Sequence, residues 1–213
     1  MEDYQRQFIA FVLQKQVLLF GDFILKSGRP SPYFFNTGRF HHGQDLAKLG
    51  HFYVKAISQA RLNFDILFGP AYKGIPLACA TSMAYAAQQQ HFPYAFNRKQ
   101  TKHYGEGGDI IGAEISHKKI LLVDDVITAG TAIRHTAKLL QPYQATLAGV
   151  VVALNRQEHG QGEPSALQAI QAQYGVPVIS IINVEHIVEY LQQDHKQAKI
   201  LNKIRAHLGE DNA

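Results

Sequence analysis

Two adjacent aspartates, Asp124 and Asp125, stand at the end of an apolar run, Ile120 to Val123. Val126, Ile127, Thr128, Ala129 and Gly130 follow, and Thr131 and Ala132 then open a helical pattern. Strand, short loop and helix in that order put the loop beyond the carboxyl end of a strand, where open α/β sheets hold ligands. Backbone N–H groups at a helix N-terminus lack intrahelical partners, and the helix dipole favours an anion there. Thr128 and Thr131 add hydroxyl donors, while Ala129 and Gly130 let the backbone come close. The stretch from Val126 to Ala132 therefore reads as a phosphate cradle. The two carboxylates would repel a phosphate but accept hydrogen bonds from a vicinal diol. A phosphate site beside a diol site is what a ribose 5-phosphate requires. The run TAGT alone is more often an ordinary strand–helix turn with Thr131 as N-cap. The two acids directly after an apolar strand reverse that balance.

Other phosphate loops do not fit. Gly69 to Gly74 has the glycine spacing of a P-loop but continues into Ile75 and Pro76, and no GxGxxG follows a strand. A second anion site is expected at Ala71, Tyr72, Lys73 and Gly74, after a strand and at a helix start. A lysine there is slightly unfavourable without a ligand. Arg98, Lys99 and Lys102, with His103, form a local basic cluster, and Gly105, Gly107 and Gly108 follow it. Residues 98–112 read as a mobile cationic loop. Such a loop suits charge developing on a departing anion, and its closure would exclude water. Arg156 follows a strand end, and a guanidinium pairs a carboxylate through two parallel hydrogen bonds. Taken singly, each of these cations is more often a solvated surface residue. The histidines offer no metal site: His41 and His42 are adjacent, and no HExxH occurs.

The elements that must position these groups alternate between helix and strand, which argues for an α/β fold with a mostly parallel sheet. Helices are expected near Asp3–Gln16, Asp45–Ala60, Gly74–Gln89, Thr131–Leu140 and Pro164–Tyr174, with one or two more at the C-terminus. Strands are expected at Phe23–Leu25, Tyr33–Phe35, Phe64–Phe68, Tyr94–Phe96, Lys119–Val123, Thr146–Leu154 and Val176–Ser180. The chain has 213 residues, 46% hydrophobic and 18% charged, enough for a substantial core. Its formal net charge of +4 admits anionic partners without choosing one. Cys79 is the single cysteine, so no intramolecular disulfide can form, and a reducing cytoplasm fits. No apolar run spans a bilayer. Met1 to Arg6 is not a basic region leading into an apolar stretch, so no secretory signal is expected. Lys196 to Arg205 is basic but carries Ile200, Leu201 and Ile204 at helical spacing. It reads as a packed terminal helix rather than a nucleic-acid contact.

VDDVITAGTA, from Val123 to Ala132, resembles the phosphoribosyl pyrophosphate motif of type I phosphoribosyltransferases. Three further segments, in order, resemble the orotate phosphoribosyltransferases: LKSGRPSPYFFN from Leu25 to Asn36, FGPAYKGIP from Phe68 to Pro76, and FNRK from Phe96 to Lys99. The resemblance runs from Tyr4 to about Tyr190. It implies one phosphoribosyltransferase domain with a small hood, built from residues 1–40 and part of the C-terminal region. It implies transfer of ribose 5-phosphate from phosphoribosyl pyrophosphate to orotate, in the de novo route to UMP, with Mg²⁺ carried mainly by the substrate. It gives Lys26 a place near orotate and pyrophosphate, and Phe34 and Phe35 a place at the orotate ring. It sets the pyrophosphate against the Tyr72–Lys73 loop, with an unusual backbone twist before Tyr72. Arg156 would take the orotate carboxylate. Arg98, Lys99 and Lys102 would serve a neighbouring subunit, so a homodimer is implied, with no nucleic-acid or membrane partner. The family usually has histidine directly before GEGG; here Tyr104 stands there and His103 one residue earlier. Either of them takes the contact, or the contact is dispensable.

Overall fold

The computed structural model describes residues 1–25, 28–102, 108–127, 130–157, 166–193 and 197–208, without the side chains of Thr101 and Lys102. Lys26, His103, Tyr104, Thr128 and Ala129 lie outside these residues. The described chain divides into two compact units, residues 42–181 and residues 1–41 with 182–213.

The larger unit is built on a six-stranded sheet. Its strands are β3 (Ile66–Gly69), β4 (Tyr94–Lys102), β5 (Gly108–Gly112), β6 (Lys119–Ile127), β7 (Thr146–Asn155) and β8 (Val178–Asn183), whose last residues fall in the smaller unit. They lie in the order β5-β4-β3-β6-β7-β8. The pairs β3–β4, β3–β6 and β6–β7 are parallel, and the edge pair β4–β5 is antiparallel. Ile120, Leu121, Leu122 and Val123 are all fully buried, as expected of a central strand covered on both faces. Ile120 and Leu122 point to one face. There Leu140 and Ile133 of α4 (Thr131–Leu140) and Ile170 of α5 (Ala166–Tyr174) pack. By alternation Leu121 and Val123 point to the other face, toward α2 (Gly43–Ala60) and α3 (Gly74–Ala86).

The smaller unit holds α1 (Asp3–Gln14), the antiparallel hairpin β1 (Leu18–Ile24) and β2 (Pro30–Phe35), α6 (Val184–Leu191) and α7 (Ala198–Leu208). Its core includes Phe8, Ile9, Val12, Tyr33, Ile187 and Ile204, each fully buried. Phe35 is buried, and Phe34 is half-buried and stacked on Phe23 at 5.5 Å. α7 packs Leu201 and Ile204, and its Lys203 pairs with Asp22. Among the described residues, no helix is long and apolar enough to cross a membrane.

Three sequence expectations need correction. The central strand does not stop at Val123: β6 continues through both aspartates to Ile127. Residues 98–102 and 108–112 are not loop but strand: Ile110, Ile111 and Gly112 pair with Asn97, Phe96 and Ala95, and Gly108 pairs with Lys102 after a register irregularity. The ladder there is made by backbone groups at a sheet edge, which need no apolar side chains and leave no periodicity to read. The first strand begins at Leu18 rather than Phe23 and carries a register irregularity between Phe20 and Phe23. Smaller shifts occur at β3 and β8, and α3 ends at Ala86 rather than Gln89.

Candidate active site

The carboxyl ends of the parallel strands bring the predicted residues of the larger unit together. Gly69 ends β3 beside Phe96 of β4, so the following loop lies next to Asn97 and Arg98. Phe68 pairs with Leu122, which sets that loop alongside Asp124 and Asp125. Ile127 pairs with Asn155, so Arg156 follows at the same edge of the sheet.

Because β6 runs through them, Asp124 and Asp125 send their side chains to opposite sides of the strand. Asp125 is 5% exposed. Its Oδ2 accepts from Lys73 Nζ at 2.6 Å, and its Oδ1 accepts from the Val126 N–H at 2.9 Å. Asp124 Oδ1 accepts the Asp125 N–H at 2.9 Å. Burial, and then the neighbouring Asp125 charge, push the Asp124 carboxyl up to about 7, against the Asp125 N–H and Lys73, which pull it down. Lys73 itself is half-exposed, so it reaches from solvent to a buried carboxylate.

A raised carboxyl pKa means the folded protein holds its proton more tightly than the unfolded chain. The associated stability is full below pH 3.8 and is lost as pH rises to about 7. Asp124→Asn has no such proton to lose. Its stability relative to the parent is expected to rise between pH 4 and 8, by on the order of 2 kcal/mol. Melting curves of both proteins across that range check this; a difference independent of pH would be incompatible with it.

The loop after β3 is held in an unusual shape. The Ala71–Tyr72 peptide is cis, which gives the expected backbone twist a definite form. The Ala71 N–H donates to Asn97 Oδ1 at 2.9 Å, and Asn97 Nδ2 donates to the Arg98 carbonyl at 3.1 Å. Tyr72 is 67% exposed, and Lys99 Nζ stands over its ring at 4.6 Å. Gly74 opens α3 so close to β6 that a Cβ on it would lie 2.9 Å from the Val123 carbonyl oxygen.

Gly130 adopts a left-handed φ of 71° and caps α4, so Thr131 is the first helical residue rather than the N-cap. A side chain at Gly130 would press on Arg134 and Ile170. Thr131 and Ala132 are exposed, and the first turn of α4 carries no acid. This leaves the helix N-terminus suited to an anion. Ile127, by contrast, buries its side chain in the core, so only its backbone is available to a ligand. Arg156 is 4% exposed, which sets aside the reading of it as a solvated surface arginine.

Two residues that the sequence reading left without a role stand in this constellation. Asn97 ties β4 to the loop after β3. Tyr53 of α2 is fully buried and donates to the Asp124 carbonyl at 2.8 Å. A tyrosine on the apolar face of a helix is a signal of sorts, since a buried hydroxyl must find a partner. The spacing of Leu49, Phe52, Tyr53, Ala56 and Ile57 marks that face, but nothing in it names the partner.

Comparison with known proteins points the same way. The model of the family described as "Phosphoribosyl transferase domain" matches residues 37–185. The orotate phosphoribosyltransferase of Salmonella typhi is 52% identical over 211 residues, covering 99% of both chains. The crystal structure of the Francisella tularensis orotate phosphoribosyltransferase superposes with a TM-score of 0.83 at 43% identity, over 94% of this chain and 98% of that one. Leishmania donovani UMP synthase shares the fold, with a TM-score of 0.76 at 18% identity over 97% of this chain and 42% of its own.

Proposed function

The chain belongs to the phosphoribosyltransferase family and, within it, to the orotate phosphoribosyltransferases, and on that premise we propose that it converts orotate and phosphoribosyl pyrophosphate to orotidine 5'-monophosphate and pyrophosphate. The bond from C1' to the pyrophosphate oxygen breaks, and a bond from C1' to a ring nitrogen of orotate forms. The observation that carries this reading is the acid pair, with Lys73 bound to Asp125 at 2.6 Å, at the sheet edge that leads into α4.

The 5'-phosphate is assigned to the N-terminus of α4, with Thr128, Ala129, Gly130, Thr131 and Ala132, and to the backbone of Val126 and Ile127. The ribose hydroxyls donate to Asp124 and Asp125. Those donors favour the ionised carboxylate, so sugar binding draws the Asp124 proton away. Tyr72 and Lys73, with the neighbouring subunit's Arg98, Lys99 and Lys102, receive the pyrophosphate as it departs. A hairpin that moves to a neighbour must first release Lys99 from the Tyr72 ring, which at an exposed site costs about 0.5–1 kcal/mol. Arg156 takes the orotate carboxylate. Lys26, Phe34, Phe35, and His103 or Tyr104 keep the roles the resemblance implies. The reaction is mainly positioning and electrostatics.

Among the described residues, no group of three or more His, Cys, Asp or Glu side chains could hold a metal. Asp125 already takes the Lys73 ammonium. This donor set fits an ion brought on phosphoribosyl pyrophosphate's own oxygens and waters, with Asp124 and Asp125 steadying it. When bound, Mg²⁺ supplies neutralisation of the charge that builds on the departing pyrophosphate. A homodimer in the cytoplasm, feeding UMP synthesis, completes the proposal.

The test is the loss of orotate absorbance on adding phosphoribosyl pyrophosphate and Mg²⁺, with the product identified. Rapid loss with orotidine 5'-monophosphate formed is the expected result. No loss, with phosphoribosyl pyrophosphate still bound, would remove orotate and leave only the sugar-phosphate site.

A further inference from the structure

Tyr53 reaches the acid pair from beneath. It lies on α2, fully buried, and its phenol donates to the Asp124 carbonyl at 2.8 Å. The backbone N–H of Ala153 in β7 lies near that phenol and works against the rise of its pKa. Asp124 pairs with Val152 in the parallel ladder, so Ala153 N–H and Asp124 C=O are the two groups that would bond directly in a regular ladder at that position. The Tyr53 hydroxyl adds its own bond to that Asp124 carbonyl. The peptide unit it grips has a second hold: its N–H, on Asp125, donates to Asp124 Oδ1 at 2.9 Å. The Tyr53 hydroxyl therefore fixes one end of a peptide plane whose other end aims the Asp124 carboxylate.

We propose that Tyr53 is a positioning residue for the sugar site, acting through the Asp124–Asp125 peptide to aim the Asp124 carboxylate at the ribose hydroxyls. It touches no substrate. Burial and the two aspartates hold its phenol well above the ordinary range, so it stays a donor throughout the working pH range. The inference deepens the proposed function and rests on its assignment of the diol to the acid pair.

The test substitutes Tyr53→Phe, which removes only the hydroxyl and leaves the pairing of β6 with β7 in place, so cooperative melting should persist. Ribose 5-phosphate and inorganic pyrophosphate are then titrated separately into the intact protein. Ribose 5-phosphate should bind roughly three- to ten-fold more weakly, the loss of one neutral hydrogen bond acting at second hand. Pyrophosphate should be unchanged, because Lys73 and the loop after β3 do not depend on that peptide. In an Asp124→Ala background the tyrosine substitution should add no further loss, since its effect runs through that carboxylate. Equal weakening of both ligands, no weakening of either, or loss of cooperative melting would overturn the positioning role. If the parent protein binds neither ligand, the functional reading fails and this inference with it. If the parent binds both and the variant matches it, the inference alone fails.

Discussion

Asp125→Asn is expected to lower turnover by about 10²-fold while leaving the melting temperature within a few degrees, from the loss of charge-assisted hydrogen bonds at a buried carboxylate. The carboxylate is acceptor-only, and both oxygens are occupied. One takes Lys73 at 2.6 Å and the other takes the Val126 N–H at 2.9 Å. An asparagine supplies one acceptor and one donor group. Whichever way it turns, an NH₂ faces either the Lys73 ammonium or the Val126 N–H. The local pairing fails, and with it the placement of the lysine assigned to pyrophosphate. The fold survives because Lys73 is half-exposed and can return to water, which avoids the stranded buried charge that makes broken ion pairs so costly. Steady-state rates against each substrate, with melting curves alongside, decide the matter. A turnover equal to the parent's would remove Asp125 from the mechanism.

Gly69→Ala should damage both stability and the turn to which pyrophosphate is assigned in the proposed function. A Cβ at Gly69 would lie 2.1 Å from the Gly74 carbonyl oxygen, 2.5 Å from its carbon and 2.9 Å from the Ile75 nitrogen. All three are backbone atoms, so no rotamer change relieves the clash. Overpacking of this kind costs about 3 kcal/mol, or roughly 6–12 °C in melting temperature for a chain of this size. The backbone that must move belongs to the turn carrying Ala71, Tyr72 and Lys73. Pyrophosphate affinity should therefore fall by about 10-fold or more even at temperatures where the variant is folded. Ribose 5-phosphate, assigned to β6 and the start of α4, should lose less. Calorimetric titration of the two ligands, after a melting curve fixes a safe temperature, separates the effects. Wild-type stability with wild-type pyrophosphate binding would mean the turn relaxes without consequence.

These two variants sit at opposite ends of what a sequence can disclose. The acid pair was legible because its chemistry is a matter of residue type and local order. Two carboxylates after an apolar run, a small-residue loop and a helix start suggest the diol-and-phosphate site proposed above, within ten consecutive residues. The four motifs in order carried the family in the same way. The α/β alternation, the central strands and α4 were legible from apolar runs and helical spacing, since burial on one face or two leaves its period in the chain.

The contacts that join distant segments were not legible. Nothing local says that Lys73 reaches Asp125 across 52 residues, that Asn97 holds the Ala71 N–H, or that Tyr53 lies under Asp124. Each is decided by which strand ends lie side by side, and strand order is a property of the packed sheet. The extension of β6 through both aspartates, and of β4 through residues 98–102 beside the strand at 108–112, were hidden for a related reason. Polar residues join a ladder through their backbones, and the ladder has no side-chain period of its own. Residue chemistry and hydrophobic period, both local, thus suggested a class of ligand and marked most of the elements, while the four motifs carried the resemblance to the family. The positions of Asp124, Asp125, Lys73 and Arg156 relative to one another came only from tertiary structure. Hydrogen bonds and close packing between strands far apart in sequence depend on distance in space, which no local pattern encodes.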